Sequence, residues 1–471
     1  MSAMIEPLSP GQHDGFMAER LARFAVDFRL EQVPESVCRY AKLCMADAIG
    51  IGFASLGYDF AEPAISSITR LAGDGAYPVI GTNITLPPRD AALLNGILIH
   101  GLDYDDTHTG AVIHCSTSAV PLVLAEAQRH GSSGAQALAA YILALEADAR
   151  IGGVAEGMLQ KIGFHPTGLI GIFGCTLAAG MLAGMSSDSL ARAQGLALSM
   201  ASGSLEFLDD GSWTKRMHPG WAASSAIMAA GLASGGFKGP LQAYEGRYGL
   251  YALYLRSIPE GLAQVLDDLG TQWEVMGVAI KPYPVCHFNH ASIDAMLEVV
   301  QQHGLRPADI KQVTALIHEK QADVVARPEA SKRRPQNDYE GKFSLQFAVA
   351  AAAVRGQFTL DELEPDALQD PAILELCDRV TFRHDDESRY PEFYSGGVVV
   401  ETADGRMIEY REPVNRGAQG RALEARQVRD KFMSNVTRQC SAARAESVWD
   451  AVMRLDEEQG LARLLETISG E

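Results

Sequence analysis

The sequence predicts a mainly α protein: a large helical domain formed by both chain ends, with a smaller α+β domain inserted between them. Helical periodicity runs almost unbroken to about residue 270, gives way to alternating strand-like segments, and returns from Ala422. The predicted boundaries are 1–272, 273–415 and 416–471, the last stretch rejoining the first. A length of 471 residues, at roughly 100–200 per domain, allows two to three domains.

Residues 34–55 open on Pro34-Glu35-Ser36, which suits a first helical turn, and carry Val37, Tyr40, Ala41, Cys44, Ala48 and Ile51 on one stripe. Residues 88–103, 117–130, 134–151, 167–184, 188–203 and 219–236 read as further helices, and their Gly and Ala content predicts close helix–helix approach. Ser186-Ser-Asp188 and Ser132-Ser-Gly134 supply caps. The stretch 167–184 has no charge over 18 residues, a length that could span a membrane. It lacks flanking aromatic or basic anchors and sits among similar segments, so a buried helix is expected. In the inserted domain, 273–280 reads as a strand, Asn289 as the cap of a helix through Val300, and 312–318 and 380–383 as strands. Residues 398–402 and 407–411 flank Asp404-Gly405, a hairpin signal. Val428, Phe432 and Val436, then Val448, Val452 and Leu455, restore the helical period.

Composition excludes several function classes. With 40 basic against 59 acidic residues the net charge is −19, which disfavours nucleic-acid and anionic-membrane binding, because phosphates require local Lys or Arg. A small-molecule role is favoured, with no nucleic acid and no membrane as partner. Met1 to Pro7 show neither a basic n-region nor an apolar h-region, so a cytoplasmic location is expected. Seven cysteines are scattered singly, with no Cys-x-x-Cys pair, and read as reduced core thiols. No Gly-x-Gly-x-x-Gly fingerprint, Walker loop, His-Glu-x-x-His or Gly-x-Ser-x-Gly occurs.

Ionisable side chains instead concentrate in short segments within apolar surroundings. His100-Gly-Leu-Asp103-Tyr-Asp105-Asp106-Thr107-His108, followed by His114, ends an apolar helix; on a helix, Asp103, Asp106 and Thr107 would share a face. Carboxylates so close repel one another, which suits a general base of raised pKa or a cation site. His165 stands on the lip of the uncharged helix, where the positive helix end favours a neutral imidazole or a nearby anion. Lys215, Arg216 and His218 come immediately before an apolar helix. Lys281-Pro-Tyr283-Pro-Val-Cys286-His287-Phe-Asn-His290 is framed by two rigidifying prolines. A weaker element joins Lys332-Arg333-Arg334 to Lys342-Phe-Ser344-Leu-Gln346-Phe347. These scarce cations at helix starts and rigid turns are what a multiply charged carboxylate ligand requires.

With these motifs the chain resembles the MmgE/PrpD family of 2-methylcitrate dehydratases, cis-aconitate decarboxylases and iminodisuccinate epimerase. The resemblance runs end to end, through His100 to His108, Gly163-Phe-His-Pro166, Lys215 to Gly220, Ile280-Lys-Pro-Tyr-Pro-Val-Cys286 with His290 and Asp294, and Lys342 to Gln346. It implies an inserted α+β lid domain, a homodimer, and no metal or organic cofactor. The catalytic set it implies is Asp103, Thr107, His114, His165, Lys215 and Lys281, with His108, Arg216, His218, Tyr283, His287, His290 and Lys342 binding substrate. Where many relatives carry Tyr after Ser-x-Gln, this chain has Phe347, so a hydroxyl is missing there.

The expected chemistry is a carbanion formed or quenched beside a carboxylate, stabilised by Lys215, Lys281, His218 and Arg216, with His165 or Asp103 as base. Dehydration of a 2-methylcitrate-like hydroxy acid comes first, with His114 assisting loss of hydroxide. A cis-aconitate-type decarboxylase, an epimerase of an imino- or amino-dicarboxylate, and a non-catalytic carboxylate binder are the alternatives.

Overall fold

Long apolar stripes and well-placed caps give the chain its helices, seen here in a computed structural model that describes residues 15–390 and 392–470. The segment Met1 to Pro7, on which the expected location was read, lies outside the described residues. The chain divides into two units, one holding the residues up to Val278 together with those from Glu424, the other Ala279–Leu423.

In the first unit the long helices are α1 (Met17–Asp27), α2 (Glu35–Ser55), α3 (Ala61–Leu71), α4 (Pro88–His100), α5 (Cys115–His130), α6 (Gly134–Gly153), α7 (Pro166–Leu182), α8 (Ser187–Leu198) and α9 (Thr214–Ser234). Ser133 and Ser186 accept hydrogen bonds from the N–H groups of Gln136 and Ser189, capping α6 and α8 as expected. α7 is buried from Pro166 to Gly180 and packs against α5, α6 and α9. Among the described residues no helix is long and apolar enough to cross a membrane. All seven cysteines are free thiols, five of them buried.

Several expected boundaries are corrected. α4 stops at His100, so Asp103, Asp106 and Thr107 share no helical face; Asp103 has φ +52°, which a right-handed helix cannot accommodate. α9 starts at Thr214, so Lys215, Arg216 and His218 lie inside its first turns rather than before it. Pro219 sits within that helix and leaves the Lys215 carbonyl without its i+4 donor. Residues 273–280 form no strand of that length: Glu274–Gly277 is a 3₁₀ turn and only Val278–Ala279 is extended. The Val275 N–H is taken by Glu146 Oε1 at 2.9 Å, so a helix side chain replaces a strand partner.

The second unit carries α10 (His290–His303), α11 (Leu345–Arg355) and a four-stranded sheet. Its strands are β1 (Ile310–Ile317), β2 (Val380–His384), β3 (Gly396–Thr402) and β4 (Met407–Glu412), in the order β2-β1-β3-β4. β1 pairs parallel with β2 and antiparallel with β3, and β3–β4 is the hairpin, closed through Gly405 at φ +87°. α10 packs on β3 and β4, and α11 on α10. Asn289 precedes α10 without capping it; its Nδ2 donates to the Lys342 carbonyl at 3.2 Å.

The chain then returns to the first unit as α12 (Ala425–Val436) and α13 (Ala442–Met453). α12 packs on α2 and sends Lys431 inward, where its ammonium meets Asp47 Oδ1 at 2.8 Å and donates to the Tyr104 carbonyl at 2.8 Å. The same ammonium stands 3.7 Å from the Tyr104 ring centroid.

Two measurements probe this packing. α4 and α9 touch through glycine: a Cβ on Gly220 would stand 2.1 Å from the Leu93 carbonyl oxygen. Gly220→Ala should therefore lose about 2–4 kcal/mol in urea unfolding, because backbone must move. Glu146 has its pKa raised to about 7, first by burial. The native state thus holds a proton that the unfolded chain releases, and this contribution is lost as pH rises from about 4.5 through 7. Stability of Glu146→Gln should fall less over that window, by on the order of 2–3 kcal/mol; parallel curves would show Glu146 ionised in the fold.

Candidate active site

Three helix N-termini and one C-terminus meet in the first unit. His114 is the N-cap residue of α5, His165 that of α7, Lys215 lies in the first turn of α9, and His100 ends α4. The His114 N–H donates to Thr167 Oγ1 at 3.1 Å, joining the starts of α5 and α7. The partial positive charge of those starts favours an anion and opposes imidazolium.

Four imidazoles gather there. Ring centroids are 4.8 Å apart for His100–His114, 5.6 Å for His100–His165 and 5.1 Å for His165–His218. Asp105, fully buried, stands behind two of them: its Oδ1 is 3.0 Å from His100 Nδ1 and its Oδ2 2.7 Å from His114 Nδ1. His114 Nδ1 is also 2.9 Å from the Asp106 carbonyl and 3.3 Å from Thr107 Oγ1. These acceptors place the proton of both rings on Nδ1 and the lone pair on Nε2. Burial would raise the Asp105 pKa, but His100 and His114 outweigh it and hold the carboxyl well below its ordinary range.

Three of the imidazoles, His100, His165 and His218, are held neutral. Burial chiefly, opposed by Asp105, brings His100 down to about 4. His218 also falls to about 4, by burial first and then by His100 and Lys215. His165 lies well below its ordinary value, from burial and from the charges of His100 and Lys215. His165 and His218 share a hydrogen bond between their Nδ1 atoms at 2.9 Å, so one donates and the other accepts. Lys215 Nζ stands 2.8 Å from Asp103 Oδ1, both side chains nearly buried. Asp106 bonds the Ser116 hydroxyl, which in turn meets Tyr141 Oη at 2.5 Å; burial raises the Asp106 pKa to about 7.

Of the expected residues, Asp103, Thr107, His114, His165, Lys215 and His218 thus come together. His108 and Arg216 are turned elsewhere. His108 Nε2 is 3.0 Å from Glu274 and its Nδ1 accepts the Ala111 N–H, which engages both ring nitrogens. The Arg216 guanidinium stacks 4.2 Å from the Phe60 centroid. Two residues of this centre were absent from the expected site, His100 and Asp105. Their signal was in the sequence as an ionisable residue closing an apolar helix and a carboxylate five positions later, which the loop folds back to meet.

The second unit holds the other candidates in one interlocked loop. Lys281 is buried. Tyr283 Oη donates to Asp294 Oδ1 at 2.5 Å and accepts from Arg416 Nη2 at 2.8 Å. The rings of His287 and His290 lie 4.5 Å apart, and His290 Nε2–H donates to the Val285 carbonyl at 3.2 Å. Lys342 reaches Asp338 at 3.0 Å, while its carbonyl accepts the Cys286 N–H at 2.9 Å. Phe347, at the position lacking a hydroxyl, is fully buried in the apolar core of this unit.

A helical unit that buries neutral imidazoles beside an ion-paired lysine defines a class of acid–base centre suited to anionic ligands. The chain belongs to the MmgE/PrpD family: the family's N-terminal domain matches residues 19–260 and its C-terminal domain residues 283–457. A cis-aconitate decarboxylase-like protein of Aspergillus oryzae is 26% identical over 97% of this chain and 98% of its own length. Human cis-aconitate decarboxylase is 26% identical, over 96% of this chain and 95% of its own. The 2-methylcitrate dehydratase of Salmonella typhimurium is 23% identical, over 87% and 88%.

The tautomers are directly measurable. Nitrogen NMR of imidazole-labelled protein near neutral pH should place the proton of His100 and His114 on Nδ1. A proton on Nε2 of either ring would contradict their shared contact with Asp105.

Proposed function

We propose that this protein is a cofactor-independent lyase acting on a small tricarboxylate, decarboxylating a cis-aconitate-like acid. The reading rests above all on the Lys215–Asp103 pair set among neutral imidazoles at converging helix starts. Its decarboxylase arm is supported by the cis-aconitate decarboxylases of mouse and human, each similar over 96% of this chain.

In that reaction the bond to the leaving carboxylate breaks, its electron pair forms a new double bond to the adjacent carbon, and the existing π pair is displaced to the far carbon. The displaced pair is taken up by a proton on the far carbon, and the transient charge spreads onto a neighbouring carboxylate. Lys215 and the helix starts stabilise that charge, because they are already oriented when it develops. Loss of CO2 from a trianion consumes one proton. An imidazole of depressed pKa recovers affinity for a proton once carboxylates bind beside it, so His165 delivers the proton acquired on binding; His114, its ring centroid 6.1 Å from that of His165, is the other candidate donor. Lys281 is assigned a second charge-stabilising role. Thr107, at 3.3 Å from His114, holds that ring's orientation.

Dehydration of a 2-methylcitrate-like acid is the second reading. It is favoured by the neutral imidazoles of the free protein, which suit a base removing an α-proton.

Incubation with cis-aconitate, citrate, 2-methylcitrate and iminodisuccinate in deuterated water, followed by NMR, separates the outcomes. CO2 loss with one deuterium gained on carbon is expected for cis-aconitate. Water loss from 2-methylcitrate alone would promote the dehydratase, exchange with inversion of iminodisuccinate the epimerase, and inertness toward all four would refute the lyase. Lys215→Ala and Lys281→Ala should each lower turnover at least ~10²-fold, the size expected for losing one preorganised stabiliser. Wild-type rates in either variant would remove that residue from the site.

A further inference from the structure

We propose that His100, His114 and His165 form a binding site for a nitrogen-preferring dication of the Zn2+ type, whose occupancy silences the centre. One ring nitrogen of each lies within 4.8 Å of the other two. Because the Nδ1 atoms of His100 and His114 face Asp105, the lone pairs of these two rings sit on Nε2. Among the described residues, the buried Nε2 atoms of His100 and of His165 have no hydrogen-bond partner. Two buried nitrogens therefore lack a proton donor, and a metal ion satisfies both together.

The surroundings match what metal-binding histidines use. A carboxylate behind the imidazole fixes its tautomer and raises its basicity, and here Asp105 does so for two rings at once. The Asp105 charge offsets part of the dication's. Lys215 and the helix starts oppose it, and Asp103 at 2.8 Å compensates Lys215. Tetrahedral Zn2+ with bonds of about 2.0–2.1 Å sets its ligand nitrogens about 3.4 Å apart, so the rings must draw inward. His114 is partly exposed, which gives the ion a way in, and water or a substrate carboxylate completes the fourth position. Hard cations are disfavoured. The nearby oxygens of Asp103 and Asp105 already serve Lys215 and the two imidazoles, and Mg2+ prefers oxygen ligands.

Metal binding stands on this geometry alone; only its effect on turnover rests on the lyase reading. A metal ion holding the Nε2 lone pairs leaves neither His165 nor His114 free to carry the proton.

The test uses the full chain stripped with chelator and titrated with Zn2+ against a chromophoric competitor, and separately with Co2+. One Zn2+ per chain is expected, bound more tightly than about 1 µM, with a Co2+ spectrum of tetrahedral type. His100→Gln and His165→Gln should each weaken binding at least ~10-fold, and Asp105→Asn by about 10–100-fold. Binding weaker than about 100 µM, or affinity unchanged in these variants, overturns the site. If the variants fail to fold, the Co2+-shifted imidazole N–H signals of the unmodified protein count the ligands, and fewer than three overturn it. Turnover should fall in step with Zn2+ occupancy and return with chelator. Full occupancy with undiminished turnover refutes the silencing. A stripped protein inert toward every substrate counts against the lyase reading and leaves the metal site to the titration.

Discussion

The arrangement depends on one buried carboxylate. Asp105 has no access to water, and two imidazoles in contact with it replace the lost solvation. That single exchange fixes the tautomer of His100 and His114 and aims their basic nitrogens away from the acid. It also holds the loop after α4, where Asp103 adopts its positive φ and reaches Lys215. Without Asp105, His100 would lose its Nδ1 acceptor and His114 would keep only the Asp106 carbonyl and Thr107, so nothing would tie the two rings together.

Electrostatics and packing are coupled through α7. An uncharged helix can be buried along nearly its whole length, so its positive end opens into the protein interior rather than into solvent. Helix dipoles are screened at a surface and act more strongly in the dry interior. The apolar sequence that resembled a membrane span therefore has an electrostatic consequence: it buries His165 at the head of the helix, and that burial is the first cause of the lowered pKa that keeps the ring neutral.

Much of the fold was legible in the sequence because the relevant signals are local. The hairpin at Asp404-Gly405, the Ser133 and Ser186 caps and the buried α7 follow from turn chemistry, capping and periodicity. The local signal failed where a distant partner decides. Glu146 captures the Val275 N–H across more than a hundred residues, and a strand-like stretch becomes a 3₁₀ turn. The site was legible in the same proportion. Ionisable residues in apolar surroundings pointed to Asp103, His165 and Lys215, whereas the selection of His100 over His108 depended on how the loop folds back. Arg216 looked like a ligand-binding cation because its stacking on Phe60 has no sequence signature.

Lys431 gives the architecture a temporal dimension. The loop after α4 passes through Tyr104, and the ammonium that clasps Tyr104 arrives from α12, more than three hundred residues later in synthesis. A ribosome that has made the first unit's early helices, and even the whole sheet-bearing insertion, has not yet supplied this clasp. The emerging polypeptide thus completes the loop after α4 only near the end of translation, once α12 has delivered Lys431 to Tyr104 and Asp47.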